Sequence, residues 1–288
     1  MNDNAPAATA TIEKWSEDVR ALGERAARLG QSLCTCDYPY HALWGLLRES
    51  GVTGSLRYEE DALAPVLNAH IGNGTRILIA GSADTGTLCA VGRAAGDKKP
   101  EITVVDRCPA PLALIDEFIS ARKINAQTLC KNLLDLDLEN AFDIVLINYT
   151  LSYIPPALRV ELFQRLARAL VPGGLLICAT KLLSAVKPEG ETVGDDWAER
   201  AFKKIRAVKA GAYLNDDELA ALLKFGARAR ISRRSDNPTL GELESYVTRA
   251  GLTPGEELNT ARERILSADG TSAAELDPSI ILSAQRSK

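Results

Sequence analysis

The central part of the chain alternates short apolar runs with longer segments of helical periodicity. Apolar or largely apolar runs at 77–80, 102–105, 142–147 and 175–180 are typical of buried parallel strands. Segments with helical spacing follow them, and the clearest has leucines at every fourth position, Leu158, Leu162, Leu166 and Leu170. With further strands expected at 127–132, 256–265 and 279–284, the pattern predicts an α/β fold. We expect a mostly parallel seven-stranded sheet with helices on both faces.

The pattern differs on either side of this core. Amphipathic helices are predicted over 11–33, 40–50 and 56–70, after a disordered start at 1–10. Residues 1–72 are therefore expected to form an N-terminal helical cap, and 73–288 the sheet domain. Within that domain, charged helices at 194–208 and 215–226 predict a helical insertion, 183–238, over the ligand-binding edge. A helix at 240–250 begins at Thr239 with a capping box and ends at Gly251.

The segment 76–89 carries the first candidate chemistry. A strand ends at Ala80, a turn runs from Gly81 to Gly86, and a helix starts near Thr85. Glycine lets a ligand approach the backbone closely, and free N–H groups at a helix start favour an anion. The next strand ends at Asp106, about 20 residues past the turn, where a carboxylate reaches the ribose hydroxyls of a bound nucleotide. The set predicts a site for an adenosine-containing cofactor.

Composition narrows the class of protein. The 288 residues carry a net charge of −4 with acidic and basic residues mixed, which argues against a nucleic-acid partner. No apolar run reaches membrane-spanning length and no signal peptide is evident, so a cytoplasmic protein without a membrane partner is expected. Three of the six cysteines lie in apolar runs. The Cys34-Thr-Cys36 spacing is shorter than the usual zinc pair, so no metal is predicted.

The ordered motifs resemble the class I S-adenosylmethionine-dependent methyltransferases, which have a Rossmann-like fold. The resemblance covers roughly 75–182 and the final helix and strands. It rests on the glycine turn, the strand ending at Asp106, the Asn132-Leu133 pair before Phe142-Asp-Ile-Val, and the segment 167–177 with its Pro172-Gly-Gly turn. It implies S-adenosylmethionine as cofactor, bound by Ala80, Gly81, Ser82, Asp84, Gly86, Asp106, Arg107, Asn132, Leu133, Asn148 and Tyr149.

Two positions depart from the family pattern. Ile79 stands where an acid usually precedes the first glycine, and the turn is longer than usual. We therefore expect Asp84 to hold the methionine ammonium group instead. Asn132 replaces a common aspartate at the adenine position, where an amide can still accept and donate hydrogen bonds.

The acceptor cannot be read from the motifs, but a cap and an insertion over the site favour a small-molecule methyl acceptor on O, N or S. If a base is needed, Tyr149, Tyr153 and His41 are the candidates, with Lys181 as a further one. The aromatic cluster of Tyr38, Tyr40, His41 and Trp44 is either cap core or a lid. Asp195 and Asp196 either bind an amine acceptor or begin an exposed helix. The N-terminal helix could also serve a homodimer.

Two other functions stay open. A non-catalytic subunit that binds S-adenosylmethionine or S-adenosylhomocysteine fits the irregular glycine turn. An NAD(P)-dependent oxidoreductase shares the strand–turn–helix start, but the Gly-x-Gly-x-x-Gly fingerprint is absent. The Gly81–Gly86 spacing also matches a phosphate loop, yet Thr87 stands where that loop needs lysine, which argues against nucleotide triphosphate hydrolysis.

Overall fold

A computed structural model describes residues 22–36, 39–50, 52, 57–183, 193–234, 236–259, 262–264, 275–277 and 279–287. The predictions for 1–10, for the start of the first helix and for Tyr38 lie outside these ranges. The described helices are α1 (Gly23–Leu33), α2 (Tyr40–Glu49), α3 (Arg57–His70), α4 (Gly86–Ala95), α5 (Pro109–Arg122), α6 (Arg159–Ala169), α7 (Val193–Ala207), α8 (Asp216–Arg234) and α9 (Leu240–Arg249). Among these residues, none of the helices combines the length and apolarity that crossing a bilayer requires.

The strands form the predicted seven-stranded sheet. They are β1 (Arg76–Ala80), β2 (Glu101–Asp106), β3 (Ala126–Cys130), β4 (Phe142–Asn148), β5 (Leu170–Lys181), β6 (Leu252–Asn259) and β9 (Ser279–Arg286). Their order is β3-β2-β1-β4-β5-β9-β6. The first five strands pair in parallel, whereas β9 runs antiparallel to both β5 and β6. Short strands β7 (Arg262–Arg264) and β8 (Glu275–Asp277) form a separate two-stranded sheet. The α/β, Rossmann-like prediction is confirmed.

Strand alternation explains why the apolar runs become central strands. In β1, Ile77 and Ile79 face one hydrophobic core, while Leu78 and Ala80 face the other. All four are fully buried. Because successive side chains point to opposite faces, a strand covered by helices on both sides needs apolar residues at every position. The carboxyl ends of β1, β2 and β4 therefore emerge together at one edge of the sheet.

The clearest differences from the predicted element bounds are in β5, β6 and α8. β5 begins at Leu170 rather than 175, because Leu170 pairs with Phe142 ahead of a register shift in β4. The Pro172-Gly-Gly turn thus lies within an irregular strand and does not separate the helix from it. β6 begins at Leu252 rather than 256, since its partner β9 extends to Arg286. It ends at Asn259 rather than 265, and Arg262–Arg264 pair with β8 in the separate sheet. α8 continues to Arg234, past the predicted end at 226.

The cap is built on an unusually close contact between α1 and α2. A Cβ on Gly30 would lie 2.1 Å from the backbone nitrogen of Ala42, and one on Gly45 would lie 2.4 Å from that of Ala27. Only glycine permits this backbone-to-backbone distance. Leucines of α2 share a third hydrophobic core with residues of the insertion, including Ile205, Leu219 and Leu223. The predicted cap and insertion therefore pack against each other.

The predicted capping box of α9 gives a modest, specific stability test. The Thr239 hydroxyl accepts a hydrogen bond from the Glu242 backbone N–H, and the Glu242 carboxylate accepts from the Thr239 N–H. Replacing Thr239 with Ala should lower the free energy of unfolding by about 1 kcal/mol, measured by urea denaturation at pH 7. Thr248→Ala on the same helix is the control, because its hydroxyl only donates to the carbonyl of Glu244.

The same box predicts a pH dependence. Hydrogen bonds from the backbone and side chain of Thr239 hold the pKa of Glu242 below its ordinary value of 4.5. Because the folded-state pKa is depressed, this stabilisation is fully present above that value and is lost as the pH falls through the lowered pKa. The loss in Thr239→Ala should therefore shrink in acid, and a difference that stays constant with pH would contradict the assignment.

Candidate active site at the carboxyl edge of the sheet

The turn after β1 and the end of β2 are tied together by one carboxylate. Oδ2 of Asp106 accepts a hydrogen bond from the Ser82 backbone N–H at 3.0 Å, and Oδ1 accepts from the Cys108 N–H at 2.8 Å. Asp106 is half-buried. Asp106, the residue predicted to bind the ribose, thus lies directly against the predicted glycine turn. The neighbouring Arg107 is exposed.

Gly81 itself has a different immediate role from the one its sequence context suggests. Its φ is +86°, and a Cβ at this position would lie 2.4 Å from Oγ1 of Thr150. The group that approaches the Gly81 backbone is therefore the Thr150 side chain. Ligand binding at Gly81 stays a prediction. Two backbone N–H groups of the turn, those of Ser82 and Gly86, donate to Asp106 and Asp84.

Asp84 is the centre of a buried contact between the turn and the cap. Its Oδ2 accepts hydrogen bonds from Nε1 of Trp44 and from Nε of Arg48, both at 2.8 Å, and its Oδ1 accepts from the Gly86 N–H. The side chains of Arg48 and Asp84 are only 11% and 9% exposed. A role for Asp84 in binding the methionine ammonium stays a prediction, and the carboxylate would have to be shared with Arg48.

The adenine-binding candidates lie on the loop after β3. Asn132 accepts a hydrogen bond from the Leu134 N–H through its side chain and begins a 3-10 turn, Leu133–Asp135. Leu133 is buried in the core. Asn132 is thus an N-cap whose amide N–H₂ is not engaged by that bond.

Polar atoms without partners mark the end of β4. Nδ2 of Asn148 donates to Oγ1 of Thr87, but the Asn148 Oδ1 and the Thr85 Oγ1 are buried with no hydrogen-bond partner. Buried polar groups are nearly always satisfied, and an unmet one costs about 1–3 kcal/mol. Asn148 ends β4 and Thr85 directly precedes α4, so both atoms belong to the carboxyl edge of the sheet.

The two tyrosine candidates follow β4 directly. Tyr149 has a φ of +52°, uncommon for a residue with a side chain. Tyr153 is 40% exposed and makes an edge-to-face contact with Tyr40 of the cap, with ring centroids 5.2 Å apart. Tyr40 in turn stacks with Trp44. These rings connect the cap to the loop after β4, which supports the lid interpretation of the cap aromatics.

His41, a candidate base, lies beside cysteine side chains. Its ring is buried, and Nδ1 lies 3.3 Å from Sγ of Cys34 and 3.8 Å from Sγ of Cys36. Burial opposes ionisation of the thiols, but hydrogen bonds from His41 and nearby backbone groups still lower the pKa of Cys34 and of Cys108. Burial and the neighbouring Cys34 raise the pKa of Cys36 to about 12. His41 therefore belongs to a cysteine cluster, and its catalytic role stays a prediction without geometric support.

The remaining candidates are less central. Lys181 lies half-buried at the end of β5, whereas the side chains of Asp195 and Asp196 lie outside the described set. Sequence reasoning missed three residues that shape the site, namely Arg48, Cys108 and Thr150. The spacing of Arg48 from the predicted lid residue Trp44, four apart on one helix face, was the available signal for Arg48.

Comparisons with known proteins agree with this geometry. A family profile described as a methyltransferase domain matches residues 77–174, from β1 to the glycine turn before the buried part of β5. That segment contains the glycine turn, Asp106, Asn132 and the end of β4. Residues 77–174 are thus similar to a methyltransferase domain.

The similar sequences cover the same domain. The carboxy-S-adenosyl-L-methionine synthase of Trichlorobacter lovleyi is 38% identical over 92 residues, which are 31% of this chain and 37% of that protein. The chain thus matches little more than a third of the length of this curated relative. This similarity supports the assignment of a methyltransferase-like domain. It does not extend to the activity of the whole relative.

Solved structures of the same fold extend the likeness to most of the chain. Phosphoethanolamine N-methyltransferase 2 of Haemonchus contortus, in complex with S-adenosyl-L-methionine, is 16% identical with a TM-score of 0.55, covering 79% of this chain and 53% of that one. The N-methyltransferase NodS of Bradyrhizobium japonicum is 12% identical with a TM-score of 0.51, covering 81% and 98%. At these identities the likeness concerns the fold.

Proposed function

We propose that the chain is an enzyme that binds S-adenosylmethionine at the carboxyl edge of β1, β2 and β4 and transfers its methyl group to a small molecule. The observation that carries the proposal is the joining of the Gly81–Gly86 turn to Asp106 through the Ser82 N–H bond. The N–H groups at a helix start and the acid expected to bind the ribose then lie on adjacent strand ends, which supports the proposal. The methyltransferase profile over the same residues supports it.

The residues of the crevice have separable tasks. Asp106 would accept from the ribose hydroxyls, Asn132 and Leu133 would contact the adenine, and Asn148 and Tyr149 would line the methionine portion. The bound cofactor supplies an electrophilic methyl group on a sulfonium. The chain contributes orientation, which lowers such barriers by about 7–11 kcal/mol in well-aligned models.

The cap and the tyrosines would complete the reaction site. The contacts among Tyr40, Trp44 and Tyr153 would let these rings exclude water from a bound cofactor and acceptor. A hydroxyl or ammonium acceptor must lose a proton, which Tyr149 or Tyr153 would accept only as a phenolate. A thioether or neutral amine needs no base. Action on a small molecule, cytoplasmic location and a homodimer remain part of this proposal.

A second reaction is favoured by the curated relative. Its name describes synthesis of a carboxylated S-adenosylmethionine, in which the donor itself is altered. The products distinguish the two reactions. Methyl transfer leaves S-adenosylhomocysteine and a methylated acceptor, whereas donor modification leaves a heavier sulfonium compound.

The test has a binding step and a turnover step. Calorimetry with S-adenosylmethionine, S-adenosylhomocysteine and NAD should show binding of the first two only. Isotope-labelled methyl donor and a panel of small-molecule acceptors, analysed by mass spectrometry, should then show label leaving the donor. Binding of NAD alone would overturn the proposal, and binding without turnover across the panel would favour a non-catalytic subunit.

Asp106 provides the matching variant prediction. Asp106→Asn keeps the size of the side chain but removes the charge that strengthens a hydrogen bond to the ribose, so S-adenosylhomocysteine should bind about 10- to 100-fold more weakly. The matched control is Glu101→Gln at the opposite, exposed end of the same strand, which should bind as the wild type does. Equal affinity for both variants in calorimetry would remove Asp106 from the site.

A further inference from the structure

A group of three cysteines and one histidine joins the cap to the sheet domain. Cys34 and Cys36 lie between α1 and α2, and His41 lies in the first turn of α2. Cys108 lies directly before α5, two residues after Asp106. One ligand atom from each side chain lies within 4.8 Å of every other. None of the four residues is described in a disulfide.

We propose that Cys34, Cys36, His41 and Cys108 form a tetrahedral Cys₃His site for Zn²⁺. With Zn–S bonds of about 2.3 Å and Zn–N bonds of about 2.0 Å, the ligand atoms of a tetrahedral site stand about 3.5–3.8 Å apart. The two sulfur–nitrogen distances in the group, 3.3 and 3.8 Å, bracket this spacing. Three sulfurs and one imidazole are also the donor set that favours zinc over magnesium or calcium.

The site would be structural and not catalytic. The chain supplies all four ligands, which leaves no open position for water or substrate. His41 is buried and the three cysteines are buried or half-buried, so the metal would be shielded from solvent. The set is not evident from the sequence, because Cys108 follows β2 and is separated from the other three ligands by β1 and β2 along the chain. Our expectation of no metal rested on the short spacing of Cys34 and Cys36.

The position of Cys108 gives the site a consequence for the fold. The Cys108 N–H donates to Asp106, whose other oxygen accepts from the glycine turn. A metal bound to Cys108 would therefore hold the start of α2 against the loop that carries the ribose-facing acid. The site would be a second attachment of the cap, separate from the Arg48–Asp84 ion pair. Its existence does not depend on the proposed methyl transfer.

The first experiment uses the full chain without substitution. The reduced protein is stripped with a chelator under anaerobic conditions and titrated with Co²⁺, a spectroscopic probe for zinc sites. We expect about one Co²⁺ per chain with thiolate-to-metal charge transfer and the intense visible absorption of tetrahedral cobalt, displaced mole for mole by Zn²⁺. Zn²⁺ should also raise the melting temperature, because it binds the folded state.

Variants then assign the ligands. Cys34→Ser, Cys108→Ser and His41→Ala should each weaken Co²⁺ binding by at least about 100-fold, since loss of even an outer partner costs about 10- to 100-fold. Cys130→Ser is the matched control, because this exposed cysteine lies nearby and outside the group. It should bind Co²⁺ as the wild type does.

Three results would overturn the site. The first is that fully reduced wild-type protein takes up no stoichiometric Co²⁺ or Zn²⁺. The second is that the bound cobalt gives the weak spectrum of octahedral oxygen ligation. The third is that Cys108→Ser binds Co²⁺ with unchanged affinity and spectrum. The first two use unsubstituted protein, so a folding defect in a variant cannot produce them.

Discussion

Replacing Gly81 with Ala should lower the free energy of unfolding by about 2–5 kcal/mol and abolish binding at the crevice. Two costs combine at this residue. The φ of +86° is strained for a residue with a side chain, and the new Cβ would meet Oγ1 and Cγ2 of Thr150 at 2.4 and 2.5 Å. Denaturant unfolding measures the stability, and calorimetry with S-adenosylhomocysteine measures the binding.

A matched pair of controls separates the two costs. Gly74 also has a positive φ, +73°, but a Cβ there would meet nothing within 4 Å, so Gly74→Ala should cost only about 1–2 kcal/mol. Conversely, Thr150→Gly removes the obstructing atoms. The double variant with Gly81→Ala should therefore lose less stability than the two single losses predict together. Strict additivity would show that Thr150 does not oppose the new methyl group.

Replacing Arg48 with Met should cost about 3–5 kcal/mol of unfolding free energy, because it leaves a buried carboxylate without its cation. Asp84 would keep the hydrogen bonds from Trp44 and Gly86 but no opposite charge. The apolar stem of methionine preserves most of the packing, so the loss reports on charge. Urea denaturation at neutral pH provides the measurement.

An exposed ion pair supplies the comparison. Lys203 and Glu199 also pair, but their side chains are 72% and 65% exposed, so Lys203→Met should cost at most about 0.5 kcal/mol. The double variant Arg48→Met/Asp84→Asn should recover part of the loss, since no charge then remains buried. If Arg48→Met and Lys203→Met cost the same, the Arg48–Asp84 contact is not a desolvated pair.

The elements that follow from local pattern could be predicted from the sequence. β1 and β4 are apolar at successive positions because they are covered on both faces, and the capping box of α9 is encoded within four residues. The glycine turn and Asp106 were also predictable, because their spacing along the chain is fixed by one strand–helix–strand unit. These features require only neighbours in sequence.

The features that were missed depend on residues far apart in the chain. From the sequence, Asp84 is a candidate ligand-binding carboxylate. Its ion pair with Arg48 forms only because the cap folds over the turn. Cys108 appears isolated until β2 carries it to Cys34, Cys36 and His41. Sequence periodicity does not predict these long-range contacts, because they depend on how the cap packs against the sheet.

The position of β9 constrains the order in which the sheet can be completed during synthesis. β9 lies between β5 and β6, although β6 leaves the ribosome first. Until β9 is made, β5 presents an unpaired edge and β6 has no neighbour in the main sheet. Nascent chains that pause before residue 279 should therefore depend on chaperones that cover exposed strand edges.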